Sequence, residues 1–281
     1  MTSLTPELEK SLRGVAKSVR IDIVNMLNKA GCGHPGGSLG MADIFVALYQ
    51  GGLTKHDPKN PRWDERDRVV LSNGHICPVL YAVLAERGYF PKEYLDGLRQ
   101  VDQNLQGHPN MTKTPGIEAS TGSLGHGFAM ATGMAMSHKL DGKPNHIVAL
   151  LGDGECQEGL IWEAAMSANH YKLDNLTAIV DRNDAQIDGT TEDVMSIEPF
   201  ADKWRAFGWH VIEIDGHNFA EIFAGIEEAK AHKGKPTCII ARTIMGKGVS
   251  YMEAEGYKWH GKTPDAEMGA QAIRELEAIV V

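Results

Sequence analysis

The run Leu150-Leu151-Gly152-Asp153-Gly154-Glu155-Cys156-Gln157-Glu158-Gly159 limits the choice of fold more than any other part of the chain. The apolar stretch His146 to Leu151 stops at Gly-Asp-Gly, and Leu160 to Met166 follows with helical spacing, which reads as strand, tight turn and helix. Glycines on both sides of Asp153 remove the Cβ atoms that would keep a ligand off the backbone, and the helix directs free N–H groups toward it. Such a turn suits a phosphate. A carboxylate at its centre repels that phosphate unless a cation stands between them, so Asp153 implies a diphosphate held through a hard divalent metal. A second apolar run, Leu176 to Val180, leads to Asn183, a neutral oxygen donor for the same ion at the next strand end. Magnesium fits best, because it takes few protein oxygens and fills its other positions from phosphate and water.

The rest of the chain supplies the frame. Thr5 and Pro6 start a helix with Leu8, Leu12, Val15, Val19, Ile23 and Leu27 on one stripe, ending at Gly31 and Gly33. The following Gly31-Cys32-Gly33-His34-Pro35-Gly36-Gly37 matches Gly-x-Gly-x-x-Gly, but a dinucleotide turn needs a strand before it and here an amphipathic helix precedes it. This stretch is read as a loop between helices, with a glycine-lined His34 open to a ligand. Met41 to Tyr49, Ile76 to Arg87, Pro91 to Gln100 and Phe128 to His138 read as helices. Arg68 to Ser72 reads as a strand ending in Asn73-Gly74-His75, and two more loops carry glycine beside histidine, at 106–109 and 121–127. Later come a strand at Trp209 to Ile214, a helix at Phe219 to Ala231, a strand at Thr237 to Arg242 and a terminal helix with Ile273, Leu276 and Ile279. This alternation predicts an α/β fold, a doubly wound parallel sheet with helices on both faces and a ligand at the strand C-terminal ends.

With 281 residues, 42% of them hydrophobic, residues 1–281 are expected to form one large domain. A net charge of −9, with lysines and arginines scattered rather than gathered in a stripe, argues against nucleic acid as partner. Four separated cysteines without a Cys-x-x-Cys pair suit a reducing cytoplasm, and neither zinc nor a disulfide framework. No apolar run is of membrane-spanning length and no secretory signal opens the chain, so a cytoplasmic protein acting on small molecules or another protein is expected.

Together these motifs resemble the N-terminal, diphosphate-binding part of transketolase. The carriers are Gly152-Asp153-Gly154 extended to Gln157-Glu158-Gly159, Gly33-His34-Pro35-Gly36, Leu71-Ser72-Asn73-Gly74-His75, Gly107-His108-Pro109, Ser120 to Gly125, and Trp259-His260-Gly261, in the family's order. Deoxyxylulose phosphate synthase and the pyruvate dehydrogenase α chain lack the Gln-Glu-Gly continuation. The resemblance implies thiamine diphosphate and Mg2+ as cofactors, with Ca2+ or Mn2+ as substitutes, and Asp153, Asn183 and the Ala185 carbonyl as metal ligands. It places Gly122, Ser123, Leu124, Gly152, Gly154, Glu155, His75 and His260 against the cofactor, and gives His34, His75, His108 and His260 catalytic work, bonding substrate hydroxyls and moving protons. Glu158 resembles the acidic residue that reaches across the dimer toward the cofactor-activating glutamate. His126, His138, His170, His210 and His232 are taken as structural, and Lys247 as either a phosphate contact or a solubilising charge.

A whole transketolase carries a pyrimidine-binding domain and a third domain after this one. The chain stops about where the first domain would, so the resemblance implies the first subunit of a split enzyme, inactive alone and paired in an α2β2 assembly with a C-terminal subunit. The implied reaction is transfer of a two-carbon ketol unit from a ketose to an aldose. Two alternatives stand beside it, a thiamine enzyme acting on a 2-oxo acid and a non-catalytic scaffold subunit that keeps the fold.

Overall fold

The computed structural model describes residues 3–281. Helix α1 (Pro6–Ala30) starts where the Thr5 hydroxyl accepts the Leu8 N–H at 3.2 Å, and it ends at Gly31 with φ 67°. Its apolar stripe, Leu12 to Leu27, is buried. The stretch expected to be a loop is one over Gly31 to His34, but its last three residues open a short buried helix, α2 (Pro35–Gly40), with Pro35 in its first position. Its glycines serve close packing: a Cβ on Gly36 would fall 2.4 Å from Met245 Cγ, and one on Gly37 would fall 2.8 Å from Ile76 Cγ2. Helix α3 (Ala42–Tyr49) follows, fully buried.

Strand β1 (Arg68–Leu71) and helix α4 (Cys77–Arg87) come next. The helix expected over Pro91 to Gln100 is only a 3₁₀ turn at Lys92–Gly97. Leu95 and Leu98 bury themselves at that turn, and the left-handed backbone of Arg99 (φ 59°) and Asp102 (φ 60°) then reverses the chain toward His108. Helix α5 (His126–Leu140), β2 (Ile147–Gly152), α6 (Gly159–His170) and β3 (Leu176–Arg182) follow. A small excursion holds the hairpin β4 (Ala185–Gln186) and β5 (Gly189–Thr190), then α7 (Thr191–Met195) and α8 (Phe200–Ala206). The chain closes with β6 (His210–Asp215), α9 (Phe219–Ala231), β7 (Thr237–Arg242), α10 (Ser250–Glu255) and α11 (Ala266–Ala278).

Five parallel strands form one sheet in the order β1-β2-β3-β7-β6. Alternate strand residues serve different layers. Val69, Leu71, Val148, Leu150, Ile179 and Ile239 pack with α1, α3, α4 and α9, whereas Val70, Ala149, Leu151, Ala178, Val180 and Ile240 pack under α5, α6 and α8. Burial on both faces explains why the strands read as continuous apolar runs. The result is the doubly wound α/β fold, with β1, β2, β3 and β7 all ending on one edge. Among the described residues no helix is long and apolar enough to cross a membrane, and all four cysteines are free.

One buried ion pair locks the frame beside that edge. Arg20 of α1 meets Asp43 of α3 with Nη2–Oδ2 at 2.6 Å, and His217 Nδ1 lies 2.8 Å from the same oxygen. Burial alone would raise the Asp43 pKa, but Arg20 and His217 hold it down at about 2. Asp43→Ala leaves Arg20 buried and unpaired, so it is expected to lower stability by about 3–5 kcal/mol in a denaturant titration. The pair's contribution is present above the unfolded pKa and is lost as pH falls through about 2.

Candidate active site

Asp153 stands directly after β2 and is 1% exposed. Its Oδ1 accepts the Gly154 N–H at 2.7 Å, and its Oδ2 accepts the Asp184 N–H at 2.7 Å and Arg182 Nη1 at 3.1 Å. Burial pushes the carboxyl up to about 6 against these partners. At the end of β3, Asn183 Nδ2 donates to Asp181 Oδ2 at 2.9 Å, while Asn183 Oδ1 accepts the Ala185 N–H at 3.1 Å. That bond fixes the amide, so its oxygen is kept on the side of Ala185. Asp181 is itself buried and takes the Thr243 hydroxyl; burial pushes it up to about 7, and the neighbouring Asp153 adds to the rise.

Glu155 was expected against the cofactor; it lines the cavity, and its carboxylate oxygens bond three groups of the protein. Oε1 accepts the Ser72 hydroxyl at 2.5 Å and the Gly125 N–H at 2.8 Å, and Oε2 accepts the Gly152 N–H at 3.1 Å. Ser72 Oγ in turn accepts the Phe128 N–H at 2.9 Å. One buried carboxylate thus ties the ends of β1 and β2 to the start of α5. Burial pushes it up to about 7 despite those three donors.

Three histidine rings meet opposite the aspartate turn. His34 precedes α2, His75 follows β1, and His260 follows a 3₁₀ turn at Gly256–Trp259. Ring centroids are 5.0 Å apart for His34–His75, 4.9 Å for His75–His260 and 5.7 Å for His34–His260. His108 lies against the 121–127 loop, where Gly122 has φ 147° and a Cβ would come 3.0 Å from His108 Cδ2. Burial lowers the pKa of all four, and for His34 it combines with His260, Arg99 and His108 to reach about 4. The imidazoles are therefore neutral at pH 7, with both a donor and an acceptor nitrogen. Nδ1 of His34 and of His260 is buried without a hydrogen-bond partner.

These groups share one cavity of about 380 Å³. Its wall contains Asp153, Asn183, Ala185, Gly152, Gly154, Glu155, Glu158, Gly122, Leu124 and all four histidines. Ser123 is exposed and stands outside the wall, and His126, His138, His170, His210 and His232 are also elsewhere, His210 and His232 stacked at 4.1 Å. Lys247 faces Glu253 at 3.6 Å on a separate cleft beside α1. The wall also holds Asn73, which the motifs contain without a role, and residues to which they assign none, among them Asp181, Gln186, Ile187 and Met245. Asn73, Asp181 and Met245 each lie at or just past the end of a parallel strand, which was the available signal.

The donor set fits a hard divalent cation. A carboxylate, an amide oxygen and a backbone carbonyl come from two adjacent strand ends, all of them oxygens, leaving further positions for phosphate and water. Buried, unpartnered Asn73 Oδ1, His34 Nδ1 and His260 Nδ1 in the same wall fit a polar ligand that extends past the ion.

The low pKa of His34 has a direct readout. In an NMR titration its ring is expected to remain neutral through pH 6 and to protonate at about 4. The stability linked to it is full above the unfolded value of about 6.5 and falls as pH drops from there toward 4.

The parallel α/β sheet ends in an Asp-Gly turn and an Asn turn on neighbouring strands, beside a histidine-lined cavity. Residues 12–279 match the family described as transketolase, thiamine diphosphate binding domain, and the chain belongs to that family. It is 48% identical over 271 residues to a 6-deoxy-6-sulfo-D-fructose transketolase subunit of Clostridium sp. (strain MSTE9), covering 96% of this chain and 98% of that one. It is 44% identical over 254 residues to an apulose-4-phosphate transketolase subunit of Phocaeicola vulgatus, covering 90% and 89%. The transketolase structure of Campylobacter jejuni superposes with a TM-score of 0.89 at 36% identity, over 98% of this chain and 43% of that chain. The chain thus spans about two fifths of that solved transketolase.

Proposed function

We propose that residues 1–281 form one diphosphate-binding unit, which completes a transketolase site together with a partner subunit carrying the pyrimidine-binding part. The complex transfers a two-carbon ketol unit from a ketose to an aldose. The observation that carries this reading is the single cavity whose wall holds both the Asp153–Asn183 turn and the cluster of His34, His75 and His260. Relatives of nearly the same length are named as transketolase subunits, which supports the partner, and we propose an α2β2 assembly. Glu158 is exposed at the start of α6, where a second subunit can reach it. Four free cysteines suit the cytoplasm, where we place the protein.

In this reading Asp153, Asn183 Oδ1 and the Ala185 carbonyl hold Mg2+, for which Ca2+ or Mn2+ can substitute. The glycines at 122, 152 and 154 let the diphosphate approach the backbone. Thiamine diphosphate, when bound, supplies the electron sink for breaking and remaking the carbon–carbon bond. His34, His75, His108 and His260 bond the sugar oxygens and, being neutral, take or give a proton there as a carbonyl becomes a hydroxyl or the reverse. Met245, which is buried, and Ile187, which is exposed in this chain, lend apolar wall to the cavity. The sugar class we favour is anionic, because the relatives are named for a sulfonated and a phosphorylated sugar. The test is to supply the complex with xylulose 5-phosphate and an aldose phosphate, with a sulfonated ketose, and with pyruvate. Aldose release from a ketose supports the reading; turnover of pyruvate alone assigns the site to 2-oxo acids, and turnover of none assigns it to a scaffold.

A further inference from the structure

Arg182 occupies an unexpected place. It ends β3 between Asp181 and Asn183, so its positive charge lies beside the proposed cation site, and only 5% of its side chain is exposed. Nη1 reaches Asp153 Oδ2 at 3.1 Å, Asp184 Oδ1 at 3.0 Å and Thr191 Oγ1 at 2.8 Å. Nη2 reaches Glu198 Oε1 at 2.9 Å and Glu192 Oε1 at 3.6 Å, and the guanidinium carbon stands 5.7 Å from the centre of the Phe200 ring. Apart from Asp153 and Phe200, these partners belong to one excursion, residues 184–198, with Asp184 and Glu198 at its two ends and Thr191 and Glu192 at its middle. That excursion carries Ala185, Gln186 and Ile187 into the cavity wall. It opens with Asp184 in left-handed backbone, φ 59°, a conformation that persists in a residue other than glycine only where its surroundings enforce it. Here Asp184 is held twice, by its carboxylate on Arg182 and by its N–H on Asp153 Oδ2.

We infer that Arg182 is a positioning residue of the metal site: its planar fork ties the two ends and the middle of the 184–198 excursion to Asp153, so that Asn183 Oδ1 and the Ala185 carbonyl are in place before the cation arrives. The inference rests on the assignment of Asp153, Asn183 and Ala185 as cation ligands. Like charge alone would make Arg182 a competitor of Mg2+, and the two roles predict opposite signs on its removal. The positioning role is favoured because Asp184, Glu192 and Glu198 are 61%, 42% and 52% exposed, so most of the guanidinium's bonds organise a surface loop and only one falls on Asp153. A lysine keeps the charge without the fork, which gives partial rescue.

The test titrates Mg2+ into the complex of this chain with its copurified partner at fixed thiamine diphosphate, following cofactor binding by tryptophan fluorescence. R182M is expected to raise the half-saturating Mg2+ by about 10- to 100-fold, the range for residues that orient metal ligands, with R182K intermediate and most of the lost turnover restored at high Mg2+. Hydrogen exchange across 184–198 is expected to speed up in R182M of the chain alone, without cofactor. E198Q removes the charge of one exposed anchor and leaves a single oxygen where Oε1 now serves Arg182 and Oε2 the Phe200 N–H; it leaves the core intact and is expected to raise the Mg2+ requirement a few-fold, which keeps the test open if R182M does not fold. An unchanged or lowered Mg2+ requirement in R182M, or in E198Q should R182M not fold, overturns the inference. An unchanged requirement in D153N instead overturns the ligand assignment on which it rests.

Discussion

Asp153→Asn is expected to lower ketol transfer by the complex about 1000-fold and to leave the protein unable to retain thiamine diphosphate through gel filtration at physiological Mg2+. A bound metal stabilises diphosphate charge by several kcal/mol, and each 1.4 kcal/mol lost costs a factor of about ten. Asparagine has almost the same shape as aspartate, but its single acceptor oxygen can serve the Gly154 amide or the Asp184 amide, each of which has its own carboxylate oxygen in the native turn. Arg182 keeps Asp184 and Glu198, so no buried cation is stranded. The loss therefore belongs to the altered carboxylate, which gives up its charge and one of its two acceptor oxygens. Steady-state rates and cofactor content of the eluted complex check it, and near-normal values for both would remove Asp153 from the metal site.

His34→Ala is expected to act on the chemistry and to spare the cofactor. The ring lies between α1 and α2, within 5.0 Å of His75 and 5.7 Å of His260, and its buried Nδ1 has no protein partner. A group in that position is free to bond a sugar oxygen. Its loss should reduce kcat/KM by about 100- to 10,000-fold, the span for one acid–base group, with thiamine diphosphate affinity changed by no more than a few-fold. His34→Asn, which can still donate a hydrogen bond, should recover part of the loss. A rate unchanged in both variants would leave the ring without a catalytic part.

Much of this was legible because short motifs encode strand ends. Gly-Asp-Gly after an apolar run gave the end of β2, and Asn183 after a second run gave the end of β3; parallel pairing then puts both on one edge. The histidine loops were legible for the same reason, each lying beside a glycine at a chain reversal. What failed was local geometry set from a distance. Pro35-Gly36-Gly37 opens a buried helix whose glycines pack closely against Met245 and Ile76, and nothing near it in the sequence announces those contacts. Pro91 to Gln100 has helical spacing, yet the two left-handed residues beyond the 3₁₀ turn win because the chain must return to His108.

Side-chain commitments were the least legible. Glu155 sits next to the metal turn in sequence and lines the cavity, and the sequence did not show that its oxygens also close onto Ser72 and Gly125, far off along the chain, and onto Gly152 just before it. Arg182 reads as a charged residue at a strand end and is instead almost wholly buried, gripped by Asp153 and by polar groups of the 184–198 excursion. Both cases involve polar groups whose burial is tolerable only because hydrogen bonds converge on them from separate loops, and convergence in space is not written in spacing along the chain.

The central claim, that this chain holds one half of a ketol-transfer site, is tested most directly by assaying the purified chain with and without its copurified partner on a ketose phosphate and an aldose phosphate, with Mg2+ and thiamine diphosphate present. The predicted result is no aldose release from either polypeptide by itself and full release from the two together. Turnover by this chain alone, or none from the complex with any ketose, would contradict it.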